Sequence, residues 1–281
     1  MACPGGKSSE CLALSSRLIE AGIQNAGRPG SVGTVDLLIS LTRSDLLARY
    51  GRGRFRLLRW LLEPVAVVGV YLVLVSLVLR RSGHAAGLSL ACAVVPFQLV
   101  MLTVVNALDA VTLRASVLIN MPFPRRLIPP ASALTEALAF TANLSLLALM
   151  MAIYGIAPTV AVLWLPVVLV VNLALALAMA YPATLIGLSL RELRPMAVSL
   201  VRALFFLSPG LVSLHTITGR THELIRFNPL TGLVEAYRAI LLDGASPAAW
   251  ELLFPLAGAA LIAAIFVPVY RSEQRQFAKV V

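Results

Sequence analysis

The 54 residues from 137 to 190 include no charged side chain. An apolar helix crosses a bilayer core of about 30 Å with roughly 20 residues, so this stretch is too long for one span. Gly155 and Pro158 divide it, since a glycine and a proline close together interrupt a helical pattern. The sequence therefore predicts two membrane-spanning helices here, joined by a short break.

Composition extends this prediction to the whole chain. Hydrophobic residues make up 59% of the 281 residues, charged residues only 13%, and the mean hydropathy is +0.89. These values lie well outside the balance of a soluble domain. The formal net charge of +10 is then explained mainly by membrane topology, and we expect no nucleic-acid partner.

Apolar windows that are long enough to span a bilayer occur six times. They cover approximately residues 61–79, 85–108, 134–154, 159–190, 195–214 and 252–270. Residues 215–251 contain apolar runs that are too short to span, which favours re-entrant or interfacial helices on one side. The predicted fold class is therefore an all-α integral membrane protein with six transmembrane helices and short re-entrant or interfacial helices between helices five and six.

Basic residues are distributed unequally between the two sides of this arrangement. Eighteen of the 23 lysines and arginines fall on the side that holds both termini, and five fall on the other. Because cytoplasmic flanks carry the excess of basic residues, both termini are predicted to be cytoplasmic. No cleavable signal peptide is expected, since the first sufficiently long apolar run begins at residue 61.

Five arginines stand directly before the first predicted span, in the stretch RYGRGRFRLLRWLLEP at 49–64. On a helix, the apolar side chains and most of the arginines of this region separate onto two sides. We therefore expect an N-terminal amphipathic interfacial helix over 36–59. Two roles remain open, because the arginines can anchor the helix at cytoplasmic headgroups and can also bind phosphate of a lipid-linked substrate.

The sequence offers no metal or nucleotide site. Three cysteines, an odd count, predict no disulfide framework, and the three histidines lack the spacing of a metal site. The stretch GGKSS at 5–9 lacks the first glycine of a phosphate-binding loop, because Met1 occupies that position. We expect this chain to hold no metal and no cofactor.

Four stretches, in order, resemble ABC-2 type permeases that export polysaccharides, including O-antigen and teichoic-acid exporters. They are RSDLLARYGRGRFRLLRWLLEP at 43–64, MPFPRRLIPPASAL at 121–134, LREL at 190–193 with FFLSPG at 205–210, and NPLTGLVEAYRAILL at 228–242. The resemblance covers about residues 40–281. It departs from the family pattern at Arg59, where a tryptophan is expected and where Trp60 follows one place later.

The resemblance implies an ABC-2 type transmembrane domain over residues 36–281 and a defined assembly. Residues 1–35 lie outside the resemblance and include Gly27, Pro29, Gly30 and Gly33, so we expect them to form a flexible cytoplasmic tail. Two copies of the chain pair with two copies of a separate ATPase subunit, which binds ATP and Mg²⁺. The complex exports a polyprenyl-diphosphate-linked polysaccharide, such as O-antigen, galactan or a teichoic-acid-like polymer, across the bacterial inner membrane. The chain itself is then a permease and not an enzyme.

Three sets of residues receive expected roles. The lipid-diphosphate would enter at Arg49, Arg52, Arg56 and Arg59. Coupling to the ATPase would involve residues 109–128, here called the coupling segment, with Arg114, Met121, Pro122, Phe123, Pro124, Arg125 and Arg126. The pathway or an extracellular gate would include Tyr181, Arg202, Phe205, Phe206, Ser208, Pro209, Asn228, Pro229, Glu235 and Arg238. Asn228 with Pro229 predicts a helix start, and Glu235 with Arg238 predicts an i,i+3 ion pair.

Other interpretations remain open for the function. The coupling segment could be an ordinary basic cytoplasmic loop, and residues 215–251 could be a surface cap without a gating role. An ABC-2 exporter could carry another lipid or a small amphiphile. A secondary transporter would need internal repeats or membrane carboxylates. An intramembrane transferase would need paired acidic residues, and this sequence lacks such pairs.

Overall fold

The computed structural model describes residues 34–50, 62, 65–66, 69, 73, 86–113, 124–206 and 225–273. Every regular element in these ranges is helical, and none is a strand. The all-α prediction is thus confirmed for the described part of the chain. The tail predicted at 1–35 and the first predicted span at 61–79 fall almost entirely outside it, and the domain division stays a prediction.

The described α-helices number eight. They are α1 Thr34–Tyr50, α2 Ala86–Leu113, α3 Ile128–Ala139, α4 Thr141–Ile153, α5 Leu165–Ser189, α6 Arg194–Phe206, α7 Pro229–Leu241 and α8 Ala249–Glu273. Short 3-10 turns lead directly into three of them, namely Arg125–Leu127 before α3, Val160–Trp164 before α5 and Arg191–Leu193 before α6.

Four helical stretches are long and apolar enough to cross a membrane. They are Gly87–Val111, Arg125–Ile153, Val160–Ser189 and Ala249–Glu273. They overlap the second, third, fourth and sixth predicted spans. Helix α6 coincides with the first part of the fifth predicted span, whose remainder lies outside the described residues. The count of six spans and the interfacial helices therefore stay predictions.

The break predicted at Gly155 and Pro158 is confirmed. Helix α4 ends at Ile153, and the next helical turn begins at Val160. Gly155 has a φ of 68°, a left-handed conformation that glycine adopts without a steric penalty. Its N–H donates to the Ala152 carbonyl at 3.2 Å and closes the end of α4.

The third spanning stretch begins earlier than the expected residue 134. Pro129 and Pro130 lie in the first turn of α3. A proline is tolerated there because the first N–H groups of a helix have no partner within the helix. Helical hydrogen bonding continues through Phe140, whose N–H donates to the Glu136 carbonyl at 2.8 Å, so α3 and α4 belong to one stretch.

Helix α2 forms the centre of the bundle. It packs against α3, α4, α5, α6 and α7, and its core side chains such as Leu88 and Val95 are fully buried. Helix α8, in contrast, packs mainly against α5 and α7 and exposes apolar side chains, including Leu253, Leu261 and Ile265. Buried polar residues such as Thr103, Asn172 and Thr184 lie inside the bundle. An apolar exterior around polar interior contacts is the arrangement of a protein that packs in lipid.

Candidate functional site

Helix α7 is too short to span a membrane, and its beginning is fixed by Asn228. The Asn228 Oδ1 accepts a hydrogen bond from the Leu230 N–H at 3.0 Å, and Pro229 occupies the first turn. The Asn228 Nδ2 donates to the Leu204 carbonyl at 2.7 Å. The predicted helix start is therefore confirmed, and the same side chain also ties the start of α7 to α6.

An ion pair lies within α7, as the i,i+3 spacing predicts. The Arg238 Nη1 is 2.9 Å from the Glu235 Oε1, and the two side chains are only 5% and 8% exposed. The Arg238 Nε also donates to the Ser89 carbonyl of α2 at 3.4 Å. Buried charges require such partners, since water is not available to solvate them. The pair thus joins α7 to the centre of the bundle.

Two further polar side chains meet in the same region. The Tyr237 hydroxyl and the Asn172 side-chain amide are buried, and neither has a hydrogen-bond partner outside this pair in the described part of the chain. Burial raises the pKa of the Tyr237 hydroxyl, and the hydrogen bond with Asn172 acts against this shift. Together with Glu235 and Arg238 they make the side of α7 that faces α2 and α5 unusually polar.

The contact between α7 and α8 depends on small residues. A Cβ placed on Gly232 would lie 2.8 Å from the Glu251 carbonyl oxygen and 3.0 Å from Pro255. Gly258 faces Pro229 more loosely, since its Cβ would lie 3.3 Å from the proline side chain. Glycines thus allow the backbone of α7 to approach α8 closely.

Only part of the predicted coupling segment is described. Pro124 precedes the Arg125–Leu127 turn, and the Tyr270 hydroxyl of α8 donates to the Arg125 carbonyl at 2.8 Å. The Arg126 side chain is exposed. The remaining predicted coupling residues, Arg114, Met121, Pro122 and Phe123, lie outside the described residues. The fold therefore anchors the end of this segment to α8, and a role in ATPase docking stays a prediction.

Helix α1 includes the beginning of the arginine-rich segment. It packs against α3, and the Thr135 Oγ1 of α3 donates to the Asp45 Oδ2 at 3.4 Å. Arg49 lies one turn after Asp45 in α1, although its side chain is not among those described. Arg52, Arg56 and Arg59 lie outside the described residues, so their predicted phosphate contacts stay predictions.

The other predicted pathway residues do not form one cluster in the described structure. Tyr181 of α5 makes an edge-to-face contact with Tyr270, with ring centroids 5.6 Å apart, and Arg202 is exposed on α6. Phe205 and Phe206 belong to the last turn of α6, but their side chains are not described. Ser208 and Pro209 lie beyond the described end of α6. Their roles in a pathway therefore stay predictions.

Two further polar contacts between helices were also not predicted from the sequence. The Asn106 Nδ2 of α2 donates to the Glu136 Oε1 of α3, where Glu136 is only 1% exposed. The Arg194 Nη1 lies 3.0 Å from the Asp109 Oδ1. The signal in the sequence is a polar residue inside or at the edge of an apolar run, but the pairing becomes visible only in the fold. Such polar residues inside membrane helices commonly mark functional positions.

No group of three or more His, Cys, Asp or Glu side chains that could hold a metal ion occurs within the described ranges. The polar contacts instead connect helices to one another. Buried and partly exposed polar side chains tie α7 to α2 and α6, tie α3 to α1 and α2, and tie α6 to α2. This is the architecture of a multi-pass membrane protein whose helices are held in register by internal polar contacts.

Comparison with characterised proteins identifies the class more closely. No family model matches the chain. It is 28% identical over 246 residues to the O-antigen export system permease protein RfbA of Myxococcus xanthus, which covers 86% of this chain and 94% of that protein. It is 23% and 22% identical over 210 residues to two proteins of the same name from Klebsiella pneumoniae, each match covering 74% of this chain and 81% of the relative. These relatives support the resemblance to ABC-2 polysaccharide exporter permeases.

Proposed function

We propose that this chain is the permease subunit of an ABC exporter that moves O-antigen or a related polysaccharide out of the cytoplasm. The observation that carries the proposal is its similarity over 86% of its length to an O-antigen export permease. The apolar spanning helices and the sequence stretches at 121–134 and 228–242 agree with it. The runner-up is an ABC-2 exporter of another lipid or small amphiphile.

The proposed assembly is a homodimer of this chain bound to two ATPase subunits. A chain with the predicted two-sided distribution of arginines would sit in the bacterial inner membrane with both termini in the cytoplasm. ATP and Mg²⁺ would bind the partner ATPase, and this chain would hold no cofactor. The substrate path would run between the two copies.

Recognition of the substrate would begin at the arginine-rich segment. Guanidinium groups bind phosphate bidentately, and Arg49, Arg52, Arg56 and Arg59 would bind the diphosphate of a polyprenyl-linked glycan at the cytoplasmic membrane surface. The contact of Asp45 with Thr135 gives this segment a fixed starting point, because it joins α1 to α3 one turn before Arg49. The lipid end of the substrate would thus be captured beside the first spanning helices.

ATP hydrolysis would act through the coupling segment. Residues 109–128 would dock in the ATPase, with Arg114, Arg125 and Arg126 near acidic residues of that partner. Their movement would reach the bundle through α2 and α3, since the segment joins the end of α2 to the start of α3. Helix α7 would act as the gate on the outer side, because it is short, packs inside the bundle and carries its own buried ion pair.

The proposal is tested with the purified complex. The chain is co-expressed with its ATPase subunit, reconstituted in lipid, and titrated with polyprenyl-linked glycan and with free glycan. We expect the lipid-linked form alone to stimulate ATP hydrolysis. Stimulation by free glycan alone, or by unrelated amphiphiles alone, would contradict recognition at the lipid-diphosphate end and favour the runner-up.

Four arginines supply the matched variant for this experiment. Replacing Arg49, Arg52, Arg56 and Arg59 together by glutamine should reduce export while the complex with the ATPase still assembles, because the phosphate contacts are lost but the packing of α1 on α3 is kept. Unchanged export by the assembled variant would remove the phosphate role from these residues.

A further inference from the structure

Three helices of the bundle meet at one small set of residues. Asp109 lies near the end of α2, Gly187 near the end of α5, and Arg194 at the start of α6. We propose that these residues form a rigid joint that passes the movement of the coupling segment to α5 and α6. This inference rests on the proposed function and assigns positioning roles within it.

The contacts of Arg194 connect all three helices. Its Nη1 is 3.0 Å from the Asp109 Oδ1, and its Nη2 donates to the Gly187 carbonyl at 3.0 Å. One guanidinium group therefore holds a side chain of α2 and the backbone of α5 at the same time. Because the fork of arginine donors is planar, it fixes the relative orientation of the two groups as well as their distance.

Gly187 also lies where α5 crosses α2. A Cβ added at this position would overlap the Leu108 carbonyl group of α2. The absence of a side chain is therefore what allows α2 and α5 to cross so closely. Leu108 directly precedes Asp109, so the backbone crossing and the ion pair lie at the same level of the bundle.

The joint lies between the predicted coupling segment and the helix that carries the predicted pathway residues. Asp109 is the first residue of the predicted coupling segment, and α2 continues from it to Leu113. Arg194 is the first residue of α6, the helix that carries the predicted pathway residues Arg202, Phe205 and Phe206. A displacement of the end of α2 must therefore carry the end of α5 and the start of α6 with it, unless the joint breaks.

The surroundings of the ion pair argue against a role in stability alone. The Arg194 and Asp109 side chains are 25% and 48% exposed, so solvent screens their attraction. Close packing of α2 against α5 continues through buried residues several turns from the pair, among them Val95 and Leu175. Removing the ion pair should therefore leave the bundle folded but weaken the transfer of movement from α2 to α5 and α6.

The test measures ATP hydrolysis and glycan export by the same reconstituted complex. In the Asp109→Asn and Arg194→Gln variants, we expect ATP hydrolysis to continue while the amount of glycan exported per ATP falls by about three- to tenfold. The double variant Asp109→Arg with Arg194→Asp should recover part of this loss, because it restores the ion pair. Arg271→Gln, at an exposed arginine near the end of α8, controls for the loss of one positive charge.

The outcomes separate this inference from the proposed function. If the unaltered complex exports no lipid-linked glycan, the proposed function fails. If the unaltered complex exports glycan and both single variants export as much per ATP, the joint is wrong. Failure of both single variants to assemble would assign the pair to folding and would also overturn the joint, whereas partial recovery by the double variant supports it.

Discussion

Two ion pairs among the described residues have nearly equal lengths and very different surroundings. Glu235 and Arg238 are 2.9 Å apart with side chains at most 8% exposed, while Arg194 and Asp109 are 3.0 Å apart with side chains 25% and 48% exposed, respectively. Their distances alone would suggest equal importance. The surroundings predict that the buried pair is much more important for stability, because an unpaired charge costs far more in a dry interior than beside water.

The difference suggests two separate mechanical roles. The buried pair keeps α7 inside the bundle, since Arg238 also contacts the Ser89 carbonyl of α2. The half-exposed pair contributes little to stability, and it lies where α2 meets α5 and α6. The buried pair thus holds one helix in place, and in the joint proposed above the half-exposed pair links the movement of separate helices.

The largest effect is expected from removing one member of the buried pair. Glu235→Gln leaves the Arg238 charge buried without its carboxylate and should lower the free energy of unfolding by about 3–5 kcal/mol. Thermal unfolding of the reconstituted protein measures this loss. The paired replacement Glu235→Leu with Arg238→Met should lose much less stability, because no isolated charge remains.

Equal stability of Glu235→Gln and the paired replacement would contradict the importance of burial at this pair. It would mean that water reaches Arg238 in the folded protein.

A smaller effect is expected where α7 touches α8. In Gly232→Val, the new Cβ would lie only 2.8 Å from the Glu251 carbonyl oxygen, and the valine methyl groups would add to the overlap. The substitution should lower the free energy of unfolding by about 1–3 kcal/mol. The matched control is Gly258→Ala, which meets Pro229 at 3.3 Å and should be better tolerated. A Gly232→Val protein that unfolds like the unaltered chain would show that α7 does not pack closely on α8.

Removing a buried hydroxyl should have a smaller effect still. Tyr237→Phe deletes a buried oxygen that has no hydrogen-bond partner other than Asn172 in the described part of the chain, and the free energy of unfolding should change by no more than about 1 kcal/mol. Tyr237→Ala is the contrasting variant, because it removes the packed ring. A loss of stability in Tyr237→Phe as large as that in Tyr237→Ala would reveal an essential hydrogen bond of this hydroxyl.

The smallest effect on stability is expected at the half-exposed pair. Asp109→Asn should change the free energy of unfolding by about 0–1 kcal/mol, and the change should shrink as salt concentration rises. Unfolding at low and high ionic strength measures both quantities. A salt-independent loss comparable to that of Glu235→Gln would remove the distinction between the two pairs.

Features encoded within one helix could be predicted from the sequence. The break after Ile153 follows from Gly155 and Pro158, and the start of α7 follows from Asn228 and Pro229. The Glu235–Arg238 pair follows from a spacing of three residues along a helix, which places the two side chains on one side.

Contacts between distant helices could not be predicted in this way. Asp109 and Arg194 are 85 positions apart, and Asn106 and Glu136 are 30 apart, so no local pattern relates them. The early start of α3 was missed because Pro129 and Pro130 suggest a loop, although the first turn of a helix accommodates both. The close crossing at Gly187 likewise depends on which helix lies opposite.

We propose that this chain forms the path for a lipid-linked polysaccharide whose export is driven by a partner ATPase. The most direct measurement is ATP-dependent transfer of a labelled polyprenyl-diphosphate-linked glycan across the membrane of proteoliposomes that contain this chain and its ATPase. Transfer that requires ATP, both proteins and the lipid link is the predicted result. Transfer that continues without ATP, or no transfer by a fully assembled complex that hydrolyses ATP, would contradict it.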